Sequence, residues 1–169
     1  MKISIIYFSE TGTTETVAGW IGEGIEAVPH TEVQLFNLKD SEEPDLYFIQ
    51  ESDAIIFGTP TYGANMAWQM KKWFDTHFEY RLAGKLGAAF ATENSPFGGG
   101  AEEAIVTLHS HMLVRSMMVY SSGCSFGQPF IHLGPTIVHS EMQERAELCR
   151  TFGTRIAEQA HRLFDQKGA

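Results

Sequence analysis

Apolar residues follow two rhythms along this chain. Short continuous runs, Ile3 to Phe8, Ala54-Ile55-Ile56-Phe57-Gly58, Leu86 to Ala91 and Met117 to Tyr120, read as strands covered on both faces. Glu32 to Leu38 alternates Val33 and Leu35 against Glu32, Gln34 and Phe36, which predicts a further strand. Between them the period changes to helical. Val17, Ile21, Ile25 and Val28 share one face of a helix over 13–28, closed by Pro29. Leu46 to Ile49 is a short helix candidate after the polar stretch Lys39 to Asp45. Met66, Met70, Trp73 and Phe74 mark the next helix, and Ala101, Ala104, Ile105, Leu108 and Met112 the one after. Met142, Ala146, Cys149, Phe152, Ile156, Ala160 and Leu163 mark the last. Strands alternating with helices predict a doubly wound α/β sheet. Residues 121–140 read as irregular, long enough for a functional or interface loop.

Composition narrows the partners. A formal net charge of −9 over 169 residues disfavours nucleic acid and anionic membrane. The length suits one domain, residues 1–169. Cys124 and Cys149 form no disulfide framework and no metal-ligand spacing, so no metal is expected. The opening MKISIIYF is too short in its apolar run for a signal peptide, and no run approaches a membrane span, so a cytoplasmic protein is expected.

The candidate chemistry lies in three loops, each following a predicted strand and therefore gathered along one sheet edge, where doubly wound folds bind ligands. Ser9-Glu10-Thr11-Gly12-Thr13-Thr14 joins the first strand to a helix. Gly12 permits a positive φ, and the hydroxyls join the free amides of the helix's first turn. Such a cradle holds a phosphate without a basic residue; the plainer reading is an N-cap with spare threonines. Thr59-Pro60-Thr61-Tyr62-Gly63-Ala64-Asn65 and Thr92-Glu93-Asn94-Ser95-Pro96-Phe97-Gly98 each set an aromatic on a stiff, Pro- and Gly-bearing loop. Singly they are turn chemistry; together, beside a phosphate cradle, Tyr62 and Phe97 could sandwich a flat ring. Other motifs yield to structural readings. His109 and His111 point to different helix faces, His132 and His139 could reach the edge of a bound ring from the 121–140 loop but take a solvated position as the default, and Glu102 and Glu103 read as helix-dipole partners. There is no GxxxxGK[ST], and no GxGxxG after the first strand.

SETGTT resembles the phosphate loop of the flavodoxins. FGTPTYGANMAWQMKKWFD and GKLGAAFATENSPFGGGAEEAIVTLHSHML are similar to segments of the flavodoxin-like NAD(P)H:quinone oxidoreductases of the tryptophan-repressor-binding-protein type. The likeness covers most of residues 1–120. It implies a three-layer α/β sandwich on a five-stranded parallel sheet of order 2-1-3-4-5, and FMN as cofactor. It also implies that Ser9, Thr11, Gly12, Thr13 and Thr14 hold the phosphate. Pro60, Thr61, Tyr62, Gly63 and Asn65 would lie on one side of the ring, with Thr92, Glu93, Asn94, Phe97, Gly98 and Gly99 on the other. Departures from the oxidoreductases are a missing insertion before the third strand, a longer 92–97 loop, and Val114-Arg115 in place of a His-His pair. Phe78 and Tyr80 are the candidates for covering a nicotinamide or quinone, and homo-oligomerisation stays open.

The function implied is redox chemistry through bound FMN. The leading expectation is an NAD(P)H- or quinone-linked reductase. The alternative is an electron carrier that docks redox proteins through an acidic face. An FMN-binding regulatory module is a third class. No catalytic residue is assigned.

Overall fold

The computed structural model describes residues 1–165. A parallel sheet runs through it in the order β2-β1-β3-β5-β6. Its members are β1 (Lys2–Tyr7), β2 (Glu32–Asn37), β3 (Ala54–Tyr62), β5 (Leu86–Glu93) and β6 (Met118–Val119). Two short strands join it, β4 (Asn65–Met66) antiparallel to the end of β3 and β7 (Thr136–Val138) parallel to β5. With the added strands set aside, this is the expected order 2-1-3-4-5.

Strand pleating divides the apolar runs between two cores. Ile3, Ile5, Tyr7, Ile56, Ala88 and Phe90 face α1 (Thr13–Glu26) and α5 (Ala146–Phe164). Ile6, Phe8, Ile55, Phe57, Ala89 and Ala91 face the other side. There α2 (Leu46–Glu51), α3 (Trp68–Thr76) and α4 (Ala101–Val114) cover them. The central runs are continuous because both faces are covered. Edge strand β2 is only partly buried, which is why it alone reads as alternating.

α1 and α5 pack at backbone distance. A Cβ built on Gly24 would stand 2.0 Å from the Arg150 carbonyl oxygen, and one on Gly153 2.1 Å from that of Ile21. These two glycines let one helix sink into the other.

Four expectations are corrected. β3 continues to Tyr62 instead of ending at Gly58, because β5 runs beside it as far as the Pro60–Thr92 pair. The chain then reverses through Gly63 and Ala64, both at φ 58, the positive-φ pair of a tight hairpin turn. β5 likewise extends to Glu93. The fifth strand position is split. β6 keeps only two of the four expected residues and pairs with Leu86 and Gly87, while β7, read as irregular, pairs with Ala91, Thr92 and Glu93. The chain returning to β7 passes so close to β5 that a Cβ on Gly134 would meet the Ala89 carbonyl oxygen at 2.1 Å. A 3-10 helix, His139–Arg145, then leads into α5.

Between the two halves of the split strand, Arg155 holds the excursion, beside a Ser121 hydroxyl that donates to the His132 carbonyl at 2.7 Å. The Arg155 guanidinium of α5 donates to the carbonyls of Phe126, Gly127, Gln128 and Pro129 at 2.9–3.3 Å, and to the Ser122 hydroxyl at 3.2 Å. Arg115 acts similarly at the end of α3, donating to the carbonyls of Phe74, His77 and Tyr80. Lys and Arg commonly satisfy carbonyls at such helix ends.

Two predictions follow from this packing. Gly153→Ala should lower stability by about 1–3 kcal/mol through overpacking against backbone. Gly19→Ala, where an added Cβ meets nothing within 4 Å, should raise it by up to about 1 kcal/mol; urea midpoints of the two variants check this. Burial also pushes the Cys149 thiol and the Tyr7 and Tyr80 phenols up to about 12, Tyr7 with help from Glu15 and Asp40 and Tyr80 with help from Glu79. These groups bind their protons more tightly folded than unfolded. Their stabilisation is full below the ordinary values of 9.0 for the thiol and 10.0 for the phenols, and is lost as pH rises towards about 12. Urea midpoints should therefore fall between pH 9 and 12, and ultraviolet titration should show two phenols ionising last.

Candidate functional site

β1 ends by delivering Ser9 to the loop before α1, and Ser9 is buried. Its amide donates to Asn37 Oδ1 at 3.0 Å, so the end of β2 holds the loop from one side. Its hydroxyl oxygen accepts the amides of Gly12 and Glu15, both at 3.2 Å. Gly12, at the N-cap of α1, makes no side-chain cap of its own and lies at φ 97. Ser9 therefore caps the helix from three residues upstream. With both amides donating to its oxygen, its own proton is free to point elsewhere. The first-turn amides of Thr13 and Thr14 have no intrahelical acceptor, as at every helix start.

Further hydroxyls converge on the same place. Thr14 Oγ1 and Thr92 Oγ1, both buried, share a hydrogen bond of 2.8 Å that links the first and third loops. Thr61 Oγ1, at the end of β3, is buried without a partner among the described residues. An unpaired buried hydroxyl is costly unless something arrives to meet it. Thr59, fully buried below, accepts the Ala67 amide at 2.9 Å and so ties the start of α3 to β3.

These residues surround an open cleft of about 370 Å3 at the carboxyl ends of β1, β3 and β5. Ser9, Thr11, Thr13, Thr14, Pro60, Thr61, Tyr62, Thr92, Glu93 and Asn94 all line it. Gly12 and Gly63 do not line it: Gly12 forms the turn at the start of α1, and Gly63 the hairpin turn beyond Tyr62. Gly98 and Gly99 line an adjoining hollow that shares the Glu93 wall, with Glu102 and Glu103 at its far side. The two loops meet where Gly100 packs against Ala64, and a Cβ on Gly100 would lie 2.5 Å from that of Ala64.

Other expected residues stand apart. Asn65 is exposed and turns its side chain onto the Met66 amide. Phe97 is 95% exposed and does not line the cleft, whereas Tyr62, half-exposed, does. Tyr80 is buried beside Trp73 and donates to the Pro44 carbonyl at 2.7 Å, and Phe78 lies under Arg115. Neither Phe78 nor Tyr80 lines the cleft.

Glu10 and Lys39 were not singled out in the sequence, and His139 was weighed there only to be set down as solvated. Glu10 lines the cleft, and Lys39 binds it, with Nζ 3.3 Å from the carboxylate and 2.9 Å from the Glu10 carbonyl. His139, taken as solvated, lines the cleft with Nδ1 2.8 Å from Thr13 Oγ1. Its approach depends on β7, and three residues after a long irregular run give no pattern by which to see it. The Glu93 carboxylate accepts the amides of Gly99 at 2.7 Å and Ala101 at 3.2 Å, bracing the 94–100 loop and the start of α4.

Hydroxyl donors with first-turn amides can hold a phosphate, and the aromatic wall with the unpaired Thr61 hydroxyl can receive a flat polar ring beside it. Residues 1–128 match the model of the NADPH-dependent FMN reductases. The chain belongs to that family. It is also 48% identical over 164 residues, 97% of this chain and 100% of the relative, to a flavodoxin of Clostridium saccharobutylicum. An NAD(P)H dehydrogenase (quinone) of Chromohalobacter salexigens is 30% identical over 142 residues, 70% of this chain and 69% of that protein. Among solved structures, a flavodoxin from the domain Archaea superposes with a TM-score of 0.76 at 28% identity, covering 95% of this chain and 99% of that one. Flavodoxins and FMN reductases bind FMN, so this is a flavodoxin-like, FMN-binding redox protein. No helix among the described residues is long and apolar enough to cross a membrane.

Glu93→Ala should free the Gly99 and Ala101 amides and cost about 1.5–3 kcal/mol, the range for hydrogen bonds to a charged group. Amide exchange should accelerate at residues 94–101 more than elsewhere.

Proposed function

We propose that this chain acts, as one flavodoxin-like domain, as an FMN-binding electron carrier that meets redox-protein partners at an acidic rim. The observation that carries the reading is the charge of the cleft. Glu10 and Glu93 line it, Glu102 and Glu103 extend the same sign into the adjoining hollow, and neither wall includes a Lys or Arg among the described residues. A pyridine dinucleotide brings a pyrophosphate, and often a further phosphate, for which no such wall offers a cation. Nearby Lys39 is already engaged by Glu10.

In this reading Ser9, Thr11, Thr13, Thr14 and the first-turn amides hold the FMN phosphate, with Gly12 supplying the turn. Pro60, Thr61, Tyr62 and Gly63 border one side of the ring and Thr92, Glu93 and Asn94 the other, and the Thr61 hydroxyl gains a partner. Phe97, Gly98 and Gly99 form the outer lip, where a partner protein would make contact, and Asn65 shapes the hairpin behind it. Bound FMN supplies reversible acceptance of electrons. Glu10 and Glu93 disfavour added negative charge in the cleft, which lowers the reduction potential. Exclusion of a nucleotide and attraction of basic proteins come from the same carboxylates. The partners would be met in the aqueous cytoplasm.

The second reading, an NAD(P)H- or quinone-linked reductase, draws on the description of the matching family and on the Chromohalobacter salexigens relative. Room beside Gly98 to Gly100 favours it too. Anaerobic mixing of FMN-loaded protein with NADPH or NADH decides between them. The carrier should show no flavin bleaching over many minutes while dithionite reduces it readily; bleaching within seconds, reversed by benzoquinone, would overturn the carrier. Apoprotein should prefer FMN to riboflavin, and Gly12→Val should weaken FMN through backbone strain at φ 97. Tyr62→Ala should cost about 1 kcal/mol of FMN affinity from lost stacking. Equal affinities for the two flavins would remove the phosphate cradle.

A further inference from the structure

We propose that His139 is a positioning residue for the cofactor's phosphate, setting through its protonation state whether the Thr13 hydroxyl donates into the cleft. The inference rests on the FMN reading above and adds to it a group from the far end of the chain, held 126 positions away from Thr13 in sequence.

His139 Nδ1 lies 2.8 Å from Thr13 Oγ1. A hydroxyl has one proton and two lone pairs, while a neutral imidazole has one donor and one acceptor nitrogen. If Nδ1 is unprotonated, it accepts the Thr13 proton, and Thr13 turns a lone pair towards any anion in the cleft. In the imidazolium both ring nitrogens carry protons, so Nδ1 has to donate to the Thr13 oxygen, and the Thr13 proton is released to donate inward. The imidazolium serves the anion twice, by its charge and by redirecting the hydroxyl.

The surroundings give that charge weight. Glu10 before α1 and Glu93 at the end of β5 line the same cleft, and Glu15 lies in the first turn of α1. On His139's own helix Glu141 pairs with Arg145 at 3.6 Å, with Glu144 exposed beside them. In α5, Glu147 pairs with Arg150 at 3.6 Å. Lys39 is taken by Glu10. His139 is thus the one residue lining the cleft that can become cationic, among the described residues. Its position is fixed by backbone: β7 pairs Val138 with Glu93, and the 3-10 helix begins at the next residue.

Linkage gives the sign. An anion that favours the charged imidazole raises its pKa on binding, so the His139 contribution to FMN affinity must increase as pH falls through the interval between the free and bound values. Protonation of the phosphate itself, near pH 6, runs the other way. His139→Gln, which keeps a polar side chain but cannot become cationic, separates the two.

The test is an FMN titration of apoprotein from pH 5.5 to 8.5, for the wild type and His139→Gln, with riboflavin alongside. The wild type should gain about tenfold in affinity over the variant at low pH, the scale of one charge-assisted hydrogen bond, and the two should converge at high pH. The riboflavin curves should not separate. Imidazole resonances in the wild type should show the His139 pKa rising with FMN and not with riboflavin. Superimposable FMN profiles, or a His139 pKa unmoved by FMN, would overturn the assignment while leaving the cofactor reading intact. Wild-type protein that fails to bind FMN at any pH would overturn both.

Discussion

One serine oxygen governs the geometry of this molecule's working edge. Ser9 accepts two amides from the turn that follows it, and those hydrogen bonds fix where α1 begins. The same residue is gripped from behind by Asn37. Because the oxygen is filled by main-chain donors, the loop keeps its shape through internal bonds. Were a phosphate held there as proposed, little ordering would be left for it to impose, which is the sense in which preorganisation adds affinity. The glycine at φ 97 and the close α1–α5 packing serve the same end, since a helix that cannot slide cannot carry its first turn away from the cleft.

Electrostatics then divides the labour. Hydroxyls and amides meet an anion without spending a formal charge, leaving the carboxylates of the rim free to act at longer range. In the carrier reading proposed above, the arrangement would join a local preference for phosphate to a general repulsion of other anions, and pre-organised dipoles make the two compatible. The one basic side chain lining the cleft among the described residues, His139, arrives from the C-terminal half of the chain, by way of a strand three residues long.

Most of the architecture was legible because it is written in periodicity. The runs at 3–8 and 54–57 could be nothing but covered strands, and Gly12 announced its turn by lying between hydroxyl residues at a strand-to-helix junction. The cleft lining at Ser9, Thr11, Thr13 and Thr14, from Pro60 to Tyr62 and from Thr92 to Asn94 followed from loop placement. What escaped was whatever depends on a partner distant in sequence. β7 is three residues within a stretch of irregular composition, and its pairing is visible only against β5. Phe97 satisfied the composition of a stacking loop, but Glu93 holds the neighbouring amides so that the loop presents the ring to solvent. Tyr80 read as an available aromatic and is instead core, because its hydroxyl reaches the Pro44 carbonyl.

The Arg155 fan has a consequence for how this surface can change over evolutionary time. It binds the 121–131 excursion almost wholly through main-chain carbonyls, which every amino acid possesses. Side chains there, including exposed Cys124, Phe126 and Phe130, are therefore largely uncoupled from the anchorage of the segment. Selection can rewrite them to suit a new partner without loosening the backbone, as long as one arginine on α5 stays in place.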